Sequence, residues 1–125
     1  MFLEKIVKIK RQEIETRKSP ELGKELEERV SHLPIPRDFM GSVLRHGPMA
    51  LIAEIKRASP SLGTIREDVD PRQMAHNYEV GGACAISVLT ETHFFKGNLS
   101  FLQEVKKETV LPTLQKDFII DSFQI

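Results

Sequence analysis

The sequence predicts an α/β protein with parallel strands, preceded by a helical segment. Three observations carry this. From about Met49 onward, short apolar runs alternate with helix-period stretches in the order strand, helix, strand, helix, strand. A βαβαβ order at this spacing requires parallel strands joined by right-handed crossovers. Before Met49 the apolar residues recur at helical spacing and the breaks fall at prolines. Two of the apolar strands end in charge, at Glu54-Ile55-Lys56 and at Lys116-Asp117.

The elements follow in chain order. Leu3, Ile6, Val7, Ile9 and Ile14 mark the apolar stripe of a first helix, from residue 2 to about 18. The basic residues Lys5, Lys8, Lys10 and Arg11 are interleaved with Glu4, Glu13 and Glu15, the pattern of a solvated helix face. Ser19 caps a second, polar helix over 21–30, with Pro20 at its first position. Pro34 and Pro36 end that stretch, and 39–44 is a short helical piece. The first strand is expected over 51–56 and runs into a Ser/Pro/Gly loop. Asp70 caps the next helix, with Pro71 at its first position and Gly81-Gly82 at its end. The second strand is expected over 83–89. Asn98 or Ser100 caps the following helix, and Ser100 with Gln103 fits a capping box. The third strand is expected over 111–116, with Pro112 at a position that can spare its N–H. Asp121 is placed to cap a further helix.

Composition narrows the function. A chain of 125 residues is one domain by size, and 18 basic residues balance 18 acidic ones. That balance argues against a nucleic-acid binder, which carries a basic excess. The single cysteine, Cys84, lies in an apolar run and reads as core. No apolar run approaches the ~18 residues of a membrane span. Charges recur through the N-terminus, unlike a signal peptide, so a cytoplasmic protein is expected. His32, His46 and His76 lack metal-ligand spacing, and Ser87 has no triad pattern around it.

On the first strand, alternation puts Ile52, Glu54 and Lys56 on one side and Leu51, Ala53 and Ile55 on the other. An acid and a base two residues apart at a strand exit are costly to bury without a purpose. The plain reading is an ion pair at a strand end, with Lys116 solvated. The chemical reading is a site at the carboxyl ends of parallel strands. Periodicity leaves the architecture open, since a doubly wound sheet and a (β/α)8 barrel begin alike. The loop Ala58-Ser59-Pro60-Ser61 lacks the glycines of a dinucleotide-binding turn.

Four stretches, AEIKRASPSLG at 53–63, ISVLTE at 86–91, FFKG at 94–97 and LQKDFIID at 114–121, resemble the indole-3-glycerol phosphate synthase family in order and spacing. The resemblance covers essentially the whole chain and is weakest in the first 45 residues. It implies a (β/α)8 TIM barrel, with residues 1–48 a helical extension and 49–125 the first three βα units. It also implies the chemistry: ring closure, decarboxylation and dehydration of 1-(2-carboxyphenylamino)-1-deoxyribulose 5-phosphate, a small phosphorylated substrate, with no metal or organic cofactor. By matched position, Lys116 is the general acid of ring closure. Lys56 contacts the substrate's anionic groups and serves the dehydration, and Glu54 orients both lysines. Ser59 is a pocket serine, and Phe95 and Phe118 pack around the anthranilate ring. From the residues alone, Ser59 is equally a turn residue and the two phenylalanines ordinary core. Arg57, Ser61 and Asp117 read as supports, and His93 and Lys96 as surface residues.

The family's chains are about twice as long, so strands four to eight and their phosphate loops lie outside this sequence. Three parallel strands do not close a barrel. The expectations are an inactive isolated chain, exposed inward positions such as Ile52 and Leu114, and self-association or a complementing C-terminal half. Two competing readings are another phosphate-binding barrel, such as phosphoribosylanthranilate isomerase, and a non-catalytic fragment that folds on a complementing chain. Lys56 and Lys116 with the Ser59-Pro60-Ser61 loop argue against the isomerase.

Overall fold

The computed structural model describes all of residues 1–125. The chain divides into two compact units, 1–35 with 118–125, and 36–117.

The first unit holds α1 (Phe2–Arg17), α2 (Pro20–Ser31) and a short 3-10 turn, Ser122–Gln124. In α1 the buried positions are Ile6, Lys10 and Ile14, four residues apart and therefore on one face. Lys10 departs from the expected solvated face: only 7% of it is exposed. Its ammonium lies 2.9 Å from Glu13, one turn on. The long aliphatic stem makes such burial tolerable once the head is paired. Ser19 caps α2 as expected, its hydroxyl accepting from the Leu22 N–H at 3.1 Å. Asp121 also caps, but a 3-10 turn rather than an α-helix. Its carboxylate accepts from the Phe123 N–H, and the Gln124 side chain returns to the Ile120 and Asp121 N–H groups. The backbone bond from Phe123, then Lys18 at 2.9 Å, hold the Asp121 carboxyl below the usual carboxylate range.

The second unit contains α3 (Phe39–His46), β1 (Ile52–Ile55), β2 (Ala58–Ser59), β3 (Gly63–Thr64), α4 (Pro71–Val80), β4 (Ala85–Leu89), α5 (Leu99–Glu108) and β5 (Thr113–Lys116). Three strands form one parallel sheet in the order β1-β4-β5, with Glu54 opposite Ser87, Ser87 opposite Leu114, and Leu89 opposite Lys116. The sheet is open, with β1 and β5 as its edges. Paired residues of parallel strands point to the same side, so the register defines two faces. One carries Ile55, Ile86 and Val88, which pack with Ala75 of α4 and Val105 of α5 into the core. The other carries Ile52, Glu54, Ser87, Leu114 and Lys116.

The strands are shorter than expected: each loses its first one or two residues, and β1 also ends at Ile55, one residue before Lys56. Pro112 has no N–H to give, yet its carbonyl accepts from Ile86, and β5 begins at the next residue. The loop after β1 is more ordered than its composition suggests, since β2 and β3 pair as a small antiparallel hairpin. Asp70 caps α4 through the Arg72 N–H at 2.9 Å, and Gly82 takes the left-handed conformation (φ 91°) just past the helix end. For α5 the cap is Asn98, which accepts from the Ser100 N–H at 2.9 Å. Ser100 is already helical, so the Ser100–Gln103 capping box does not form.

Arg37 was not singled out by any pattern, yet it closes α5. Its guanidinium donates to the carbonyls of Lys106, Thr109 and Leu111 at 2.8–2.9 Å. The carbonyls of Lys106 and Thr109 are acceptors of the helix end, where positive charge is favoured, and Leu111 lies in the turn that follows.

Candidate active site

Glu54 is the hub of the open face. Its Oε2 accepts from the Lys116 ammonium at 2.8 Å and from the Ser87 hydroxyl at 3.0 Å. Its Oε1 lies 3.9 Å from the Lys56 ammonium. The three residues that alternation and resemblance singled out are therefore brought together, across strands 62 residues apart in sequence. The parallel register does this. Glu54 and Ser87 are direct neighbours, and Lys116 lies one row nearer the carboxyl ends, opposite Leu89. Both lysines keep access to solvent, with 54% of the Lys116 side chain and 34% of Lys56 exposed. From the opposite side, the Tyr78 hydroxyl of α4 donates to the Glu54 carbonyl at 2.8 Å. Burial, and then the Glu54 charge, push that hydroxyl above its usual pKa.

The remaining expected residues are placed as follows. Ser59 is buried in the hairpin, where its hydroxyl accepts from the Leu62 N–H at 3.2 Å and lies 3.4 Å from the Ser61 hydroxyl. Phe95 is half-buried in the loop after β4, and its N–H donates to Glu91. Phe118 belongs to the first unit, where its carbonyl accepts from the Gln124 side chain. Lys96 is an exposed residue with positive φ (51°), and its ammonium contacts Thr64 and Glu67. Arg57 is a support: its carbonyl accepts from Ile65 and Arg66, and its guanidinium donates to the Val69 carbonyl and stacks 4.3 Å from the Phe101 ring. Cys84 is buried, as its apolar setting suggested.

Sequence reasoning missed two residues at the end of β4. Thr90 is buried, donates its backbone N–H to the Lys116 carbonyl at 3.1 Å, and donates its hydroxyl to Asp117 at 2.7 Å. It thereby fixes the backbone that carries Lys116. Glu91 is buried next to it and bonds three backbone N–H groups. The available signal was a polar Thr-Glu pair directly following a strand that is apolar apart from Ser87.

A parallel β/α sheet with acid and base gathered at its carboxyl ends fits the class of barrel proteins, whose reactive groups occupy that end of the strands. The relatives make the class specific. The sequence model of indole-3-glycerol phosphate synthase matches residues 3–125, and the chain belongs to that family of TIM-barrel carboxy-lyases. An indole-3-glycerol phosphate synthase of Desulforamulus reducens is 44% identical over 125 residues, which is all of this chain and 47% of the relative. That of Rhodopirellula baltica is 52% identical over 101 residues, covering 81% of this chain and 39% of its own length. That of Chloroherpeton thalassium is 44% identical, covering 99% of this chain and 49% of its own. The chain thus spans about half the length of the curated relatives it matches. No helix is long and apolar enough to cross a membrane.

Proposed function

We propose that residues 49–125, which follow a helical extension 1–48 in the sequence, supply the first part of an indole-3-glycerol phosphate synthase active site. The reading rests on one observation: Glu54, Lys56 and Lys116 converge at the carboxyl ends of the parallel strands β1 and β5, which flank β4. Ring closure needs a proton delivered to the ketone oxygen, and the later step needs help for a departing hydroxide. Lys116 is the proposed general acid. It is exposed enough to reach a substrate and is held at rest by Glu54. Lys56 is the proposed cation for the substrate's anionic groups and the acid of dehydration. Glu54 holds the two ammonium groups at a defined spacing, and Ser87 holds Glu54. Phe95 is proposed to pack on the aromatic ring, and Ser59 to shape the pocket through its turn. The substrate is 1-(2-carboxyphenylamino)-1-deoxyribulose 5-phosphate, and the setting is cytoplasmic.

The complete reaction also needs a phosphate site, which in such barrels lies after the seventh and eighth strands. A chain supplying the second half of a relative is the proposed partner. The alternative, a non-catalytic polypeptide that associates through its open sheet, draws support from Ile52 and Leu114, exposed to 45% and 44%. One assay separates the two. Indole-3-glycerol phosphate formation is followed with the chain alone and with the second half of the Desulforamulus reducens relative co-produced. Activity in the combined sample only is the expected result. Stable association without activity supports the alternative, and neither association nor activity refutes both.

A further inference from the structure

The loop after β4 is wound around a buried carboxylate, and this device has no place in the chemistry above. Only 1% of Glu91 is exposed. Its Oε1 accepts from the His93 N–H at 2.9 Å, and its Oε2 accepts from Phe94 at 2.8 Å and Phe95 at 3.0 Å. Its own carbonyl accepts from the Gly97 N–H at 2.7 Å, closing the loop. Gly97 is required there, because a Cβ would lie 2.3 Å from the Leu89 carbonyl oxygen and 2.9 Å from that of Glu91. A buried carboxylate is expensive unless its oxygens are satisfied, and bonds from backbone N–H groups to an ionised acceptor are among the stronger ones. Three successive amides converging on one side chain leave the loop little freedom. The last of the three belongs to Phe95.

We infer that Glu91 is a positioning residue, which sets the backbone of Phe95 and so the apolar wall against the substrate's aromatic ring. The inference rests on the proposed role of Phe95. It predicts that Glu91 acts on substrate binding rather than on proton transfer, unlike Lys116. A glutamine at this position keeps the shape but presents N–H to N–H at one of its two terminal atoms, so at least one bond is lost.

Amide hydrogen exchange on the 125-residue chain, wild type and Glu91→Gln, is the direct test. Exchange at His93, Phe94 and Phe95 should quicken by about tenfold or more, with Ile86–Val88 unchanged. Unchanged exchange at 93–95 would overturn the inference. If Glu91→Gln fails to fold, the wild-type rates decide: protection of these amides by about a hundredfold supports it, and its absence refutes it. The second arm uses the chain paired with the second half of the relative. There Glu91→Gln should raise KM by about tenfold, leave kcat within about threefold, and add nothing to Phe95→Ala. Faster exchange with unaltered KM would sink the positioning role while leaving the synthase reading intact. An inactive wild-type pair would instead refute the synthase reading, and the exchange rates would still judge the loop.

Discussion

The central strand β4 and its neighbours β1 and β5 belong to one parallel sheet but live in different surroundings. Every residue of β4 is buried, whereas β1 and β5 alternate between covered and open positions. A strand paired on both edges and covered on both faces takes an unbroken run of small and apolar residues, as Ala85–Leu89 does apart from Ser87. A strand with one face toward a cleft can place an acid or a base there. Division of labour follows: β4 holds the sheet together and β1 and β5 present the charges. The exception on β4 is informative, since the Ser87 hydroxyl is bonded to Glu54.

The comparison can be broken where its two halves make opposite claims. Lys116→Ala carries the largest expected effect on activity. In the paired enzyme, losing a general acid should cost about 10²–10⁴-fold in kcat. An exposed ion pair contributes about 0–1 kcal/mol, so the urea midpoint should barely move. A large loss of stability with little loss of activity would invert the assignment. Ile86→Ala should do the reverse, costing about 2–5 kcal/mol of stability by opening a cavity in the core. Leu114→Ala on the open face should cost under about 1 kcal/mol in the isolated chain, since most of that burial has not occurred. If the two truncations cost the same, the open face is not open in solution.

Smaller effects sharpen the picture at the edges of the sheet. Arg37→Ala removes three charge-assisted bonds to the end of α5 and the turn after it, and should cost about 1–3 kcal/mol, read from urea unfolding. Arg37→Lys should recover only part of this, because one ammonium does not reproduce a planar fork. The smallest effect is a pH dependence. The Tyr78 hydroxyl is pushed above its usual value of 10.0, first by burial and then by Glu54. The folded chain thus holds this proton more tightly than the unfolded chain. The resulting stability is complete below the unfolded-state value and is lost as pH rises through the folded-state one. Above pH 10, Tyr78→Phe should lose stability less steeply than wild type, and parallel slopes would refute the assignment.

Much of the site was legible because its signals are chemical anomalies. Charges at the exits of apolar strands are rare enough to draw notice, and Glu54, Lys56 and Lys116 were found that way. Glu91 and Thr90 escaped because a polar residue just past a strand also fits a solvated loop. Lys10 escaped because its burial depends on what packs over α1, which its own helix does not encode. The Ser100 capping box failed through a competition between neighbours, in which Asn98 took the cap two residues earlier.

By itself, the sequence determined the alternation of strands and helices, the caps at Ser19 and Asp70, and the identity of the charged residues. These depend on periodicity and on contacts a few residues long, which are the same in any fold. Tertiary structure alone decided that Lys116 bonds Glu54, that Arg37 closes α5, and that Glu91 gathers three amides beneath Phe95. The first two join residues more than sixty positions apart. The meeting of Lys116 with Glu54 depends on the parallel register, and one step of slip would turn each of these side chains to the opposite face. The third is local in sequence but needs the carboxylate dry, and only the packed chain excludes the water that would otherwise satisfy it.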